Sequence, residues 1–488
     1  MSDMLSGLLS ALTPLNVLYC LLGCFVGTLT GVLPGFGPTS ATAILFPLAF
    51  YAPPDQALIL LAGIYYGAQY GGSTTAILIN VPGEISSVPT ALDGYQMTLK
   101  GRGGVALAMA AIVSFIAGTL AVVGLSLLGP MLARVALVFG PVEKLGLLAF
   151  AMTCSAALSG LSPMRGAIAT LLGMLLATVG IDSLAGVGRL TFGQVCLFQG
   201  FDLVPVVMGL FGISEVVSTM EEKSGSIAMG KIGSLFPSGS ELKRGVFAGL
   251  RGGAVGFVLG LIPGMMPAIT TFISYDLEKK ISKDPTQFGK GSIEGVASPE
   301  AANNATVAAG FIPLLSLGIP TSPTLALLLA ALIVYGVFPG PMMFAEHAHL
   351  TWTIIGSMYL GNVILVILNL PLVGWWARLA LMPYRLLGPL VLGLCLVGSY
   401  CIRNSMFDVW SCILFGALGW WMRRRSWPAT PFVLGFILGP PLEEAARQFM
   451  DLTQGEPGYI LGHPIALALF ALSALSLLTS TRLLRRVK

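Results

Sequence analysis

Apolar positions run through this chain in blocks, not at the spacing of a half-buried helix or strand. Stretches of about 18 residues or more recur from end to end, separated by short polar turns. Roughly ten to twelve can be marked off at the length of a bilayer-spanning helix. Blocks that are apolar on every face predict helices surrounded by lipid or by one another. The period-two alternation of a transmembrane β-barrel is missing. The pattern predicts an all-α polytopic membrane protein with about 10–12 transmembrane helices. Two blocks are interrupted. GVLPGFGP, residues 31–38, and GLIPGMMP, residues 260–267, place proline and glycine inside apolar runs, where a plain span has no use for them.

Composition agrees with the pattern. Of 488 residues, 55% are hydrophobic and 10% charged, and mean hydropathy is +0.86. The net charge of +4 comes from loops and the C-terminal tail. It suits contact with an anionic inner leaflet and not nucleic-acid binding. The seven cysteines fall mostly in apolar segments, among them Cys20, Cys24, Cys154, Cys395 and Cys412, where a thiol serves as small apolar filler. No CxxC or Cys/His cluster points to a metal or cofactor. The N-terminus has no basic n-region or clear cleavage site, so no removable signal peptide is expected. Without a Walker A motif, the chain is not expected to use ATP itself.

The two interruptions belong to a repeat. Set against itself at the offset from Gly23 to Gly252, the sequence matches Gly23, Val26, Gly27, Gly31, Pro34, Gly35, Pro38 and Thr42 with Gly252, Val255, Gly256, Gly260, Pro263, Gly264, Pro267 and Thr271. Both copies read GxxxGxxxGxxPGxxP. Small residues four apart share a helix face and permit close helix contact, and the break follows at the same place. An internal duplication is expected.

Flanking charges set its orientation. Residues 46–56 after the first break carry no Lys or Arg, whereas 276–290 after the second carry Lys279, Lys280, Lys283 and Lys290. Further on the bias reverses, with Lys100 and Arg102 in one loop and no basic residue in 339–350. Basic loops stay in the cytoplasm, so the copies are expected to point in opposite directions. Arg165, the 221–244 linker, Arg378 with Arg385, Arg423 to Arg425 and the tail from Arg482 are expected inside, and 182–200 and 339–350 outside. The divisions read as a first repeat (1–220), a cytoplasmic linker (221–245), a second repeat (246–425), and C-terminal spans with a basic tail (426–488). Whether each break is a hairpin tip or a discontinuous span stays open.

Broken helices inside lipid leave backbone polar groups that need protein or a watery cavity. Paired breaks in inverted repeats point to a secondary transporter's site near the midplane. Pro38 and Pro267 suit the first turn of the next helix, whose free N–H groups and dipole attract anions. Gly31, Pro34, Gly35, Pro38, Thr39 and Ser40, with Gly260, Pro263, Gly264, Pro267, Thr270 and Thr271, form the candidate substrate site. The alternative is that the prolines only kink packed helices. A second polar element follows each break: Tyr65 to Glu84, and Ala297 to Pro323. Neutral oxygens of Ser73, Thr74, Thr75 and Asn80, and of Asn303, Asn304, Thr306 and Ser316, with carbonyls near Gly83 and Gly318, are candidate Na⁺ ligands. Interhelical hydrogen bonding is the competing use. Little more than Pro82 with Pro320 aligns the two elements.

YGGSTTAILINVPGE, ALDGYQMTLKGRGG, SPEAANN and LLSLGIP resemble the large membrane subunit of the tripartite tricarboxylate transporters, over about residues 15–450. The resemblance implies a proton- or sodium-driven uptake system in a bacterial inner membrane. It implies two partners, a small four-helix membrane subunit and a periplasmic solute-binding protein, and substrates that are citrate or other organic carboxylates. Pro320 and Thr321 join the substrate candidates through the LGIP motif. Thr321 stands where the family often has Gly, which bears on close backbone approach to a ligand there. No cofactor is implied beyond the coupling ion, Na⁺ or H⁺.

Other signals weigh less. HxH at His347 and His349 is a poor metal motif. Glu443 and Glu444 read as a polar helix end. Arg251 reads as a snorkelling side chain, with Glu215 a conceivable partner. The rival readings are a large subunit of a TRAP-type carboxylate transporter, an intramembrane enzyme and a passive channel. An enzyme would need a buried nucleophile, acid/base pair or metal cluster, and none is evident, so catalysis is not expected.

Overall fold

The structure, a computed structural model, describes residues 2–33, 37–49, 51–157, 162–182, 185–221, 232–379, 384–454 and 456–487. Pro34 and Gly35 of the first break, 222–231 of the linker and Lys488 lie outside the described residues.

Helices dominate. The first part holds α1 (Ser2–Ser10), α2 (Pro14–Val32), α3 (Pro38–Ala49), α4 (Pro54–Ile79), α5 (Val88–Leu99) and α6 (Gly103–Ala136). Next come α7 (Pro141–Ala157), α8 (Pro163–Ala177), and α9 (Leu203–Val207), which runs through a π turn, Met208–Ile213, into α10 (Ser214–Glu221). The later part holds α11 (Gly239–Gly260), α12 (Pro267–Ile281), α13 (Ile293–Leu317), α14 (Pro323–Val334), α15 (Met343–Glu346), α16 (Ala348–Asn369) and α17 (Val373–Leu379). The chain ends in α18 (Tyr384–Arg403), α19 (Met406–Arg424), α20 (Ala429–Thr453) and α21 (Pro464–Val487). A short ribbon pairs 180–181 with 188–189. Among the described residues, four helices are long and apolar enough to cross a membrane: α2, α6, α9 to α10, and α16. Much of the remaining apolar sequence forms shorter helices, because Pro38, Pro163, Pro323 and Pro464 restart the chain at helix starts.

The element order of the first part recurs in the second. The series α2, break, α3, α4, break, α5, α6 is matched by α11, break, α12, α13, break, α14, α16. The small-residue ridges explain the packing. A Cβ on Gly23 would stand 2.5 Å from the Leu60 carbonyl oxygen; one on Gly27 would strike the Ile64 backbone, and one on Gly31 that of Ala68. Position rises along both helices together, so α2 and α4 run parallel with backbones touching. Gly252, Gly256 and Gly260 meet Ser298, Ala302 and Thr306 in the same way, so α11 and α13 are parallel too. Since α3 ends only a few residues before α4 begins, it must return toward the end from which α2 started. α2 and α3 are therefore the arms of a helical hairpin, as are α11 and α12, an arrangement that the sequence left undecided. Arg251 Nε donates to Glu278 Oε2 (3.0 Å) across the arms of the second hairpin. Arg251 thus pairs with Glu278 and not with Glu215, which pairs with Arg423.

The last helix of each series crosses over. α6 packs against α11 and α13, and α16 against α2 and α4. Asn304 on α13 donates to Ser114 Oγ on α6 (2.7 Å), while the Cys20 thiol on α2 donates to the Ser357 carbonyl on α16 (3.5 Å). The second breaks also correspond. α4 ends at Asn80 (φ 56°) and α13 at Gly318 (φ 71°), both left-handed.

Charged ends sort together. Lys100 Nζ donates to the Lys290 carbonyl (2.5 Å), Arg102 pairs with Glu241, and Arg165 donates to the Arg425 carbonyl (2.8 Å). These join segments all expected inside. The Tyr335 hydroxyl reaches the carbonyls of Ala49 (3.1 Å) and Ala52 (3.0 Å), beside the loops expected outside. Glu443 is no idle helix end: Arg189 (2.7 Å) and Arg447 (2.6 Å) both donate to it.

One carboxylate ties the two parts at the basic end. Asp93 on α5 is fully buried. Its Oδ1 accepts from the backbone N–H groups of Gly289 (2.9 Å), Gly291 (2.8 Å) and Ser292 (2.7 Å), and its Oδ2 from the Tyr275 hydroxyl (2.8 Å). Gly289 (φ 81°) and Gly291 (φ 102°) take positive φ, which lets these N–H groups converge on one oxygen as a nest.

Candidate functional site

The breaks converge on one cavity of about 540 Å³. Four helix starts, two from each part, face it: Pro38, Thr39 and Ser40 of α3; Ile85, Ser86 and Val88 leading into α5; Met266, Pro267 and Ala268 of α12; Ser322, Pro323 and Thr324 of α14; a fifth, Ala429 and Thr430 of α20, joins them from the C-terminal part. The first turn of a helix lacks intrahelical partners for its N–H groups and carries the positive end of the macrodipole. Short side chains hold the tips together. Thr39 Oγ1 and Thr324 Oγ1 lie 2.8 Å apart, and Ser40 Oγ donates to the Phe211 carbonyl (3.0 Å) of the π turn. π turns concentrate at functional sites, and Leu210, Phe211 and Ser214 form one wall here. Arg423 and Glu215 lie at the cavity and pair with each other.

The far wall is pseudo-symmetric. The offset that carries Pro82 to Pro320 also carries Tyr65 to Asn303 and Glu84 to Ser322. The Tyr65 hydroxyl lies 3.3 Å from Ser322 Oγ, and Asn303 Nδ2 donates to Glu84 Oε1 (3.3 Å). Glu84 also accepts from the Ser86 hydroxyl. With its amide nitrogen turned inward, Gln69 donates to Glu84 Oε2 (3.0 Å) and Asn303 Oδ1 (2.9 Å). Behind this wall lies Glu300 on α13. Its Oε1 accepts from Thr90 Oγ1 (2.5 Å) and its Oε2 from Ser73 Oγ (2.7 Å). Among the described residues, neither glutamate has a basic side chain within salt-bridge distance.

The expected site residues divide. Pro38, Thr39, Ser40, Pro267 and Gly83 line the cavity. Gly31 and Gly260 pack instead on the helices beside them, against Ala68 and Thr306. Gly264 (φ 81°) lies against Ser155 of α7, with Pro263 buried next to it. Thr270 bonds Thr306 Oγ1 (2.8 Å), and Thr271 turns back to the Ala268 carbonyl (3.2 Å). Thr321, after Pro320, sends its hydroxyl toward Gly310 and away from the lining. Thr75 and Ser316 bond carbonyls of their own helices. Asn80 and Gly318 are helix ends, whose left-handed geometry turns the chain into the break. Asn303 and Ser73 do join the two parts, but through Glu84 and Glu300. These carboxylates, with Gln69, Tyr65 and Tyr70, lie outside the set of ligands expected from the sequence. The signal was present in NVPGE and SPEAANN: a lone acidic residue inside an apolar segment is a functional candidate.

Residues 17–434 match the tripartite tricarboxylate transporter TctA family. Two proteins of Agrobacterium vitis are similar. The "uncharacterized 52.8 kDa protein in TAR-I ttuC' 3'region" is 44% identical over 471 residues, 96% of this chain and 94% of its own length. The "uncharacterized protein in TAR-II ttuC' 3'region" is 45% identical over 218 residues, 44% of this chain and 90% of its own length. No solved structure matches the chain. A family match over most of the sequence, on a helical fold with several membrane-length apolar helices, shows that this multi-pass membrane protein belongs to the tripartite tricarboxylate transporter TctA family.

Proposed function

We propose that the chain is the large transmembrane subunit of a secondary transporter that imports organic carboxylates across a bacterial inner membrane. Substrate arrives on a periplasmic solute-binding protein, a small four-helix membrane subunit completes the complex, and a Na⁺ or H⁺ gradient drives uptake. The observation that carries this reading is the meeting of four helix starts, two from each half, on one cavity. Several positive dipole ends around one space suit a ligand with several carboxylates, without a buried lysine. The N–H groups at Thr39, Ser40, Ala268 and Thr324, with the one hydroxyl hydrogen that the Thr39–Thr324 contact leaves free, are the substrate's donors. The halves, 1–220 and 246–425, are inverted repeats joined by the 221–245 linker, and 426–488 is an added C-terminal unit. Arg423, Glu215 and Trp427 belong to the lining, and Arg423 is among the basic residues assigned to the cytoplasm, which supports reading the cavity as one reached from inside.

The test is uptake of labelled citrate and shorter dicarboxylates by proteoliposomes, with sodium and proton gradients imposed separately. Among the described residues there is no large soluble domain to gather dilute ligand. Uptake at micromolar substrate should therefore require all three components. Fast, saturable uptake by this subunit alone would overturn the binding-protein dependence. Transport that persists after both gradients are collapsed would overturn the coupling and favour a channel.

A further inference from the structure

A second void is much smaller. It lies between α4, α6, α13 and the end of α16, and measures about 20 Å³, room for one water-sized particle. Six oxygen-bearing side chains line it: Tyr70, Ser73, Thr74, Ser114, Glu300 and Asn369. We propose that it binds one sodium-sized monovalent cation, held by the Glu300 carboxylate and the neutral oxygens around it. The assignment of that cation as the coupling ion rests on the transport reading above; the binding itself does not.

Three observations carry the site. The first is charge. Glu300 is the one ionisable carboxylate in the lining, it is 2% exposed, and no basic side chain among the described residues offsets it. An uncompensated carboxylate in such an interior is costly, and a single cation neutralises it. The second is unspent hydrogen-bonding capacity. Tyr70 and Asn369 are 5% and 7% exposed, yet the Tyr70 hydroxyl and Asn369 Oδ1 have no partner among the described residues. Asn369 Nδ2 is committed to the Leu365 carbonyl (2.9 Å), which fixes its oxygen as the free end. Buried polar atoms without partners are rare, and two in one lining call for a ligand. The third is orientation. Ser114 Oγ accepts from Asn304 Nδ2 (2.7 Å) and lies 3.5 Å from the Glu300 carbonyl. With its hydrogen on that carbonyl, a lone pair remains for a cation. Asn304, expected from the sequence to be a ligand, becomes the residue that positions one. The ligands come from both halves, α4 and α6 on one side and α13 and α16 on the other. Movement of the halves would therefore make and break the shell, as coupling requires.

The experiment measures binding of radioactive sodium to the purified full-length chain in nanodiscs, with no carboxylate present. Saturable binding of one ion per chain is expected, displaced by unlabelled sodium and not by equal choline or potassium. Glu300→Gln should abolish it. Tyr70→Phe and Asn369→Ala should each weaken it roughly tenfold, while the surface change Gln287→Ala should leave it unchanged. The wild-type measurement stands even if Glu300→Gln fails to fold. No saturable sodium binding by wild type would overturn the proposal and leave the void to water. Equal binding by all three lining variants would overturn it as well. Proton-driven uptake without sodium binding would remove the site and leave the transport reading intact. Sodium binding with no carboxylate uptake by the full complex would do the reverse.

Discussion

Replacing Asp93 with alanine tests how the two halves are held at the basic end. Three backbone donors converge on Asp93 Oδ1 and one hydroxyl on Oδ2. The alanine variant leaves the N–H groups of Gly289, Gly291 and Ser292 without their acceptor. Ser292 is buried and Gly289 is exposed, so water can rescue some donors but not all. At about 1 kcal/mol for each of the three, the loop loses roughly 3 kcal/mol, or about a hundredfold in its opening equilibrium. Lys290 lies between the two glycines of this nest, and trypsin cleavage there needs the opened loop. Where opening is fast, cleavage rate follows the open population. Site-resolved mass spectrometry should then show cleavage after Lys290 rising by about two orders of magnitude in Asp93→Ala. Tyr275→Phe removes only the Oδ2 donor and should change the rate less than about tenfold. If Asp93→Ala were cleaved at the wild-type rate, the nest would not be holding the loop.

Gly264→Ala adds a Cβ at 2.7 Å from the Ser155 Cα, at a φ of 81° that disfavours it; the expected result is lost folded protein in size-exclusion profiles rather than altered substrate affinity. Glu241, in the polar first turn of α11, is pushed up by its partial burial, but its bonds to Ser238 and Arg102 outweigh this and bring it from 4.5 to about 2. Its contribution is thus complete above the unfolded value and fades as pH falls toward the folded one. The melting-temperature gap between wild type and Arg102→Ala should accordingly be full at pH 7 and shrink between about pH 4.5 and 2; a gap that is constant with pH counts against the pair. In a cysteine-free background, Tyr51→Cys, at an exposed position, should react with an impermeant thiol reagent from the periplasm and Ser282→Cys should not, and the opposite pattern would refute the inverted orientation. Thr39→Val removes one side of the Thr39–Thr324 contact and should raise the KM for uptake about fivefold at unchanged abundance; no change would exclude these hydroxyls from the site.

Much of the architecture was legible because it is written in backbone constraints. Glycine at four-residue spacing marks helices in contact, and proline marks where they restart. The close contacts of Gly23, Gly27 and Gly31 and the start of α3 at Pro38 are those readings made spatial. The second breaks were harder. Asn80 and Gly318 do the same conformational work with different side chains, so residue matching found only the prolines. The site itself was half visible. Thr39 and Pro267 follow from the dipole argument, but Ser322, Thr324 and Ser86 reach the cavity only because α5 and α14 also start there. Glu84 and Glu300 do not stand out in the sequence because the donor that ties each to the other half lies across the fold, 219 residues away at Asn303 and 227 away at Ser73. No local window reports such a pairing.

The crossing-over of α6 and α16 constrains how the molecule comes into being. α6 finds its proper neighbours only when α11 and α13 exist, and the contact between Ser114 and Glu300 spans 186 residues of chain. At about 5–20 residues per second, a ribosome needs roughly 10–40 s to deliver the second partner. Through that interval the polar notch of α6 at Ser114 must wait in the bilayer without Asn304. Neither half can finish folding before the other is inserted, so the nascent protein should depend on insertion factors that shelter unfinished helices. Separately expressed halves should associate only if they meet early.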